Sequence, residues 1–114
     1  MFGFYILPTL ADAQEKKGGR ASEAEYEGWR QYMVHCARCH GDDAVAGVMA
    51  PDLRQSVRRG AASGPEFDQV VATGRPGKGM PPFAKTLQSD QIAAIRAYVT
   101  ARAGGKLAAG RPAT

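Results

Sequence analysis

Two cysteines and two histidines stand within six consecutive positions, His35-Cys36-Ala37-Arg38-Cys39-His40, and the 114 residues contain no other cysteine or histidine. Thiols and imidazoles at such spacing can hold a metal, form a disulfide or carry redox chemistry. Structural zinc needs four ligands, usually as two spaced pairs, and no further cysteine or histidine lies outside this cluster to complete the set. A thioredoxin-like CxxC would follow a strand of a βαβ unit, and no alternating strand pattern is found anywhere in the chain. A plain disulfide would leave His40 without a role.

A further reading uses all three groups. Cys36-Ala-Arg-Cys39-His40 matches CxxCH, the attachment sequence for c-type haem. Two thiols three residues apart on one helical turn can each form a thioether to a haem vinyl group, and the next residue then places its imidazole on the iron. For the opposite axial position the sequence offers Met33, His35, Met49 and Met80. Met33 and His35 precede the first cysteine, on the proximal side. Met49 follows His40 too closely to reach around a ring and reads as a packing residue. Met80 is the best choice, because it is far along the chain and Pro81 and Pro82 limit its backbone. A soft thioether favours ferrous iron and raises the potential relative to two imidazoles. With both axial positions taken by protein, the expectation is electron transfer and no catalysis at iron.

These residues need elements to hold them. Ser22-Glu-Ala-Glu25 fits a capping box at a helix start. From there Tyr26, Trp29, Tyr32 with Met33, and Cys36 recur at the three-and-four spacing of one helical face, so the face ends at the cysteines. Residues 41–64 show no sustained period and read as a long loop with at most one short turn. Pro65–Thr73 suits a short helix, with Pro65 at its first position, Glu66 and Asp68 in its first turn and Gly74 as its stop. Phe67, Val70 and Val71 would face inward. The prolines and glycines of 74–83 (GRPGKGMPPF) rule out regular structure and predict a constrained, extended wrap. A last helix opens at Ser89 or Asp90 and carries Ile92, Ile95, Tyr98 and Val99 on one side as far as Gly104-Gly105. The class is all-α, one haem domain over 22–104, with 14–21 a linker and 105–114 a flexible tail.

Composition agrees with one ordinary globular domain: 44% hydrophobic and 23% charged, with a core small enough that a bound cofactor would matter for stability. The formal charge of +4 points to an acidic partner. The basic residues are scattered and have no aromatic interleaving to stack bases, which excludes nucleic acid. Residues 1–13 combine an apolar run, Phe2 to Leu10, with Ala11-Asp12-Ala13, the pattern of a truncated signal peptide or else of an apolar arm. The run is too short to span a bilayer, which takes about 20 residues.

With the CARCH and GMPPF segments in view, the chain resembles a small class I bacterial cytochrome c over about residues 22–103. The resemblance implies a monohaem, His/Met-ligated protein carrying one covalent haem c, in which N- and C-terminal helices cross and a short middle helix and loops wrap the ring. Gly28, Tyr32 and Cys36 keep the family's register in the first helix, where Gly28 would permit a close crossing, and the IRAYV segment, 95–99, matches the second with Tyr98 as its aromatic. By the same resemblance Pro51 is the carbonyl partner of the His40 imidazole and Leu53 a haem contact. Arg75, with Arg54 or Arg58, is the candidate for the haem propionates. The combination of GDDAVAGVMAPDLR, GRPGKGMPPF and the GRP tail is also similar to soluble cytochromes that serve quinoprotein alcohol dehydrogenases. The implied function is a soluble periplasmic carrier that takes single electrons from a dehydrogenase and passes them to an oxidase or another cytochrome through partners with acidic docking surfaces. Lys78, Lys85, Arg75 and the Arg58-Arg59 pair are the candidate rim. Two alternatives remain: a tightly bound haem subunit of a dehydrogenase complex, and a haem sensor of gas or peroxide.

Overall fold

The computed structural model describes residues 19–45, 52–58 and 64–114. The expectations placed on residues 1–13 and on Met49, Pro51 and Arg59 lie outside the described residues. Five α-helices occur among those described: α1 (Glu23–His35), α2 (Ala37–His40), α3 (Leu53–Arg58), α4 (Pro65–Thr73) and α5 (Ser89–Ala103). Short 3-10 turns at Asp42–Ala44 and Pro76–Lys78 complete the order, and the class is all-α, as the sequence implies.

α1 starts at the capping box. The Glu25 N–H donates to Ser22 Oγ at 3.1 Å and the Ser22 N–H donates to Glu25 Oε1 at 2.8 Å, so two orphan donors of the first turn are met reciprocally. The Glu25 carboxylate also receives the Lys106 ammonium at 2.6 Å. Burial works to raise its pKa, but the hydrogen bonds from Lys106 and Ser22 prevail and hold it below the ordinary carboxylate value. Their stabilisation is therefore present above that ordinary value and is lost as pH falls through the depressed one.

α1 crosses α5 at Gly28, which is buried. A Cβ on Gly28 would land on the carbonyl oxygen of Ala94, so only glycine lets the two backbones approach this closely. Next to the crossing the Tyr32 and Tyr98 rings meet with centroids 5.2 Å apart, and both side chains are fully buried. Ile95, Val99 and Leu107 complete the innermost core. Each such side chain contributes roughly 1.5–3 kcal/mol by leaving water.

α3 lies within the stretch that the sequence reads as a long loop with at most one short turn, and is a six-residue helix. The Asp52 carboxylate accepts the Arg54 N–H at 3.0 Å and so opens the helix, while Leu53 and Val57 pack half-buried against the core. Nε of Arg58, at the end of this helix, donates at 2.9 Å to the carbonyl of Ala103, one of the orphan acceptors that close α5. α4 begins with Pro65 and buries Phe67 and Val71, with Val70 half-buried. Arg96 Nε lies 3.0 Å from Asp68 Oδ1 and pins α4 to α5.

The flexible tail expected for 105–114 is corrected by the structure. The Gly19 N–H donates to the Lys106 carbonyl at 2.6 Å and the Ala21 N–H to the Ala113 carbonyl at 2.7 Å. Leu107 and Pro112 are buried, and Arg111 Nε donates to the Tyr26 hydroxyl at 3.0 Å. These anchors are mostly backbone groups, which leave no hydrophobic period in the sequence.

Gly28→Ala should destabilise the protein by about 2 kcal/mol, because overpacking at a helix contact outweighs alanine's better helix propensity. Denaturant unfolding of the holoprotein checks this; an unchanged midpoint would show that the helices do not meet there.

Candidate cofactor site

The helical path breaks at Cys36 and restarts as the single turn α2. The Cys39 and His40 N–H groups both donate to the Cys36 carbonyl, at 3.1 and 2.9 Å, and the Gly41 N–H donates to Ala37 at 2.8 Å. One tight turn thus presents Cys36, Cys39 and His40 to the same cavity. The Cys36 thiol is 8% exposed, and burial, then the neighbouring Cys39, pushes its pKa up to about 12. Behind the turn the Tyr32 hydroxyl donates to the Gly41 carbonyl at 2.6 Å. Burial raises the pKa of Tyr32 well above its ordinary value, so this donor keeps its proton.

Across the cavity stands the strap that carries Met80. It is a closed loop, tighter than the extended wrap expected. The Arg75 N–H donates to the Met80 carbonyl at 2.8 Å and the Met80 N–H returns to the Arg75 carbonyl at 3.1 Å, with a 3-10 turn at Pro76–Lys78 between them. Gly74, at φ 69°, sits where a Cβ would come within 2.6 Å of Pro81 and Pro82, so a side chain there would push the strap away. The Phe83 and Ala84 N–H groups then donate to the Val71 and Ala72 carbonyls at 3.0 and 3.1 Å, which docks the strap on α4.

The cavity between turn and strap is about 290 Å³, close to the lower end for small-molecule and cofactor sites. Met80, Pro81 and Phe83 line it opposite the CxxCH turn. His35 also lines it and meets Phe83 edge-on at 5.9 Å. Val34, Arg38 and Lys78 belong to the lining and are exposed, so the mouth opens at the surface. Two thiols, an imidazole, a thioether and an apolar wall fit a covalently held haem with one edge toward solvent.

The structure therefore brings Cys36, Cys39, His40 and Met80 together. Leu53 is half-buried on α3 and does not belong to the described lining; Arg75 contributes its backbone to the strap while its side chain is exposed. Two of the propionate candidates are engaged elsewhere: Arg54 holds both Asp52 carboxylate oxygens at 3.3 Å, and Arg58 holds Ala103. Sequence reasoning set His35 aside and missed Phe83, Arg38 and Val34 as lining residues. Their adjacency to the cysteines and to Met80 was the available signal.

The family described as cytochrome c oxidase, cbb3-type, subunit III matches residues 23–99. The chain is 34% identical over 99 residues to the dehydrogenase subunit of a quinone alcohol dehydrogenase of Gluconobacter oxydans, covering 85% of this chain and 11% of that protein. It is 33% identical over 114 residues to cytochrome c-553I of Paracoccus denitrificans, covering 94% of this chain and 48% of the relative. Among solved structures, the c-type cytochrome XoxG of Methylobacterium extorquens AM1 superposes with a TM-score of 0.70 at 30% identity, over 80% of this chain and 57% of the other. The chain thus spans about half or less of the length of these sequence relatives. The family and the cytochrome c relatives indicate covalently bound haem c for this chain, and Cys36 and Cys39 fit a single CxxCH-type attachment. The chain belongs to the c-type cytochromes, in the family described as cytochrome c oxidase, cbb3-type, subunit III.

Proposed function

We propose that the protein is a monohaem electron carrier in which Cys36 and Cys39 hold the porphyrin and His40 and Met80 are the axial ligands. The observation that carries this reading is the shared lining of one cavity by the CxxCH turn and, opposite, Met80 on its strap. Bound haem supplies a one-electron couple, accepting an electron from a reduced donor and passing it to an oxidised acceptor without making or breaking a bond to substrate. The chain's own task is to keep both axial positions occupied. A strap closed on itself and docked on α4 restricts where the Met80 thioether can lie and would hold it toward a bound haem. Phe83 and Pro81 supply apolar surface to the cavity wall beside Met80.

The proposed donor class is supported by the relatives, several of which are quinone-type or quinohaemoprotein alcohol dehydrogenases. A periplasmic quinoprotein dehydrogenase is the proposed electron source, and an oxidase or a second cytochrome the acceptor. Among the described residues no helix is long and apolar enough to cross a membrane. Arg38 and Lys78 at the mouth, with exposed Arg75 and Lys85 on and beside the strap, supply positive charge for an acidic docking surface. Exposed Val34 gives the same rim an apolar contact.

A second reading, a haem subunit held tightly in a dehydrogenase complex, is favoured by the matched region being only 11% of the Gluconobacter relative's dehydrogenase subunit. Purification from the native host separates the two, since a subunit copurifies stoichiometrically and a shuttle does not.

Met80→Ala in the holoprotein should keep covalent haem, lower the midpoint potential and let the reduced form bind carbon monoxide. An unchanged ferric spectrum with no carbon monoxide binding would assign the sixth ligand to another residue. For the rim, the second-order rate with an acidic redox partner should fall several-fold as salt shortens the Debye length from about 30 to 10 Å. Stopped-flow rates that are flat with ionic strength would remove its steering role.

A further inference from the structure

The turn that follows His40 is built in an uncommon way. Asp43 and Ala44, neither of them glycine, both take positive φ, 63° and 60°. Such a conformation persists only where surrounding contacts impose it. Three long-range hydrogen bonds converge there. The Tyr32 hydroxyl takes the Gly41 carbonyl, Arg102 Nε donates to the Asp43 carbonyl at 2.9 Å, and the Gly110 N–H donates to Asp43 Oδ1 at 2.6 Å.

Arg102 is the centre of this arrangement. It is 9% exposed, and a buried guanidinium is costly unless its donors are met. Its Nη1 donates at 2.9 Å to the Leu107 carbonyl, so one forked side chain on α5 bridges the turn after His40 and the 106–114 segment. The same segment then returns to Asp43 through Gly110, to Tyr26 of α1 through Arg111, and to Ala21 just before α1 through Ala113.

We propose that Arg102 and Asp43 are positioning residues that, with the 106–114 segment as a latch, fix the Gly41–Ala44 turn and thereby the setting of His40. The proposal rests on the reading of His40 as an axial ligand. A turn held in positive φ would relax toward ordinary φ if its carbonyl and carboxylate lost their partners, and His40 lies only one residue before it. The buried charge is placed where it meets backbone carbonyls from both sides, which a hydrophobic residue of equal size could not do.

The test uses nitrogen-15-labelled holoprotein with Arg102→Gln and, separately, a truncation lacking residues 110–114, which leaves Arg102 intact. Two quantities are read: the hyperfine-shifted proton signals of His40 in the ferric form, and exchange of the Gly41 and Val45 amides relative to those of Ile95 and Tyr98 in α5. Both variants should move the His40 signals. The turn amides should exchange about tenfold faster relative to α5, as expected for loss of one charge-assisted hydrogen bond. Arg102→Lys, with one ammonium in place of the fork, should restore only part of the protection. If the turn amides quicken only in step with α5 and the His40 signals stay in place, Arg102 is a general stabiliser and the proposal is overturned. Should Arg102→Gln not fold, the truncation decides by the same two readings. Absence of shifted His40 signals in the wild-type protein would instead remove the axial assignment, and the amide ratio would still judge the clamp.

Discussion

The absent side chain of Gly28 lets α1 and α5 approach until the backbone of one lies against the Ala94 carbonyl of the other. From that approach the positions of Tyr32 and Tyr98 follow, since their rings can meet at 5.2 Å only if the helices are this close. Tyr32 then spends its hydroxyl on Gly41, and the turn bearing Cys36, Cys39 and His40 is held from behind. Displacing either helix by the width of a methyl group would move this support away from the cavity floor. The core here is small, so its packing energy and the geometry of the site come from the same few residues.

On the opposite wall the constraint is conformational. Gly74 at positive φ, two prolines and a reciprocal Arg75–Met80 backbone pair leave the strap few alternatives. On the proposed reading of Met80 as a ligand this stiffness would serve electron transfer, because a ligand that shifted with oxidation state would add a reorganisation cost to each transfer. The two walls are built differently, one by close helix packing and one by a locked loop. They meet through α4, whose carbonyls receive Phe83 and Ala84 and whose Asp68 faces Arg96 of α5.

Much of this was legible in the chain. CxxCH states its own chemistry, the Ser22–Glu25 box marks a helix start, and the spacing of Ile92, Ile95, Tyr98 and Val99 gives the inner face of α5, all four being buried. α3 was not legible, because six residues with two half-buried apolar positions carry too little period; the usable signal was Asp52, whose carboxylate accepts the Arg54 N–H. The expectation for Pro51 lies outside the described residues. The anchoring of 106–114 was hidden for a different reason. The segment KLAAGRPAT has a single large apolar residue and no period, so it looks loose by composition, yet its carbonyls and N–H groups are used by Gly19, Ala21, Asp43 and Arg102.

Backbone-mediated anchoring also bears on how the family's domain can stand in different settings. The sequence relatives place the matched region within longer chains, of which it covers between about a tenth and a half. A domain used in that way must complete its own core without help from what surrounds it. In this chain Leu107 at 1% exposure and buried Pro112 fill that role beyond the end of α5, while the charged groups on the 106–114 segment pair with α1. The mouth of the cavity is left out of these contacts, with Val34, Arg38 and Lys78 exposed around it. Closure of the core and the opening of the cavity thus fall to different residues.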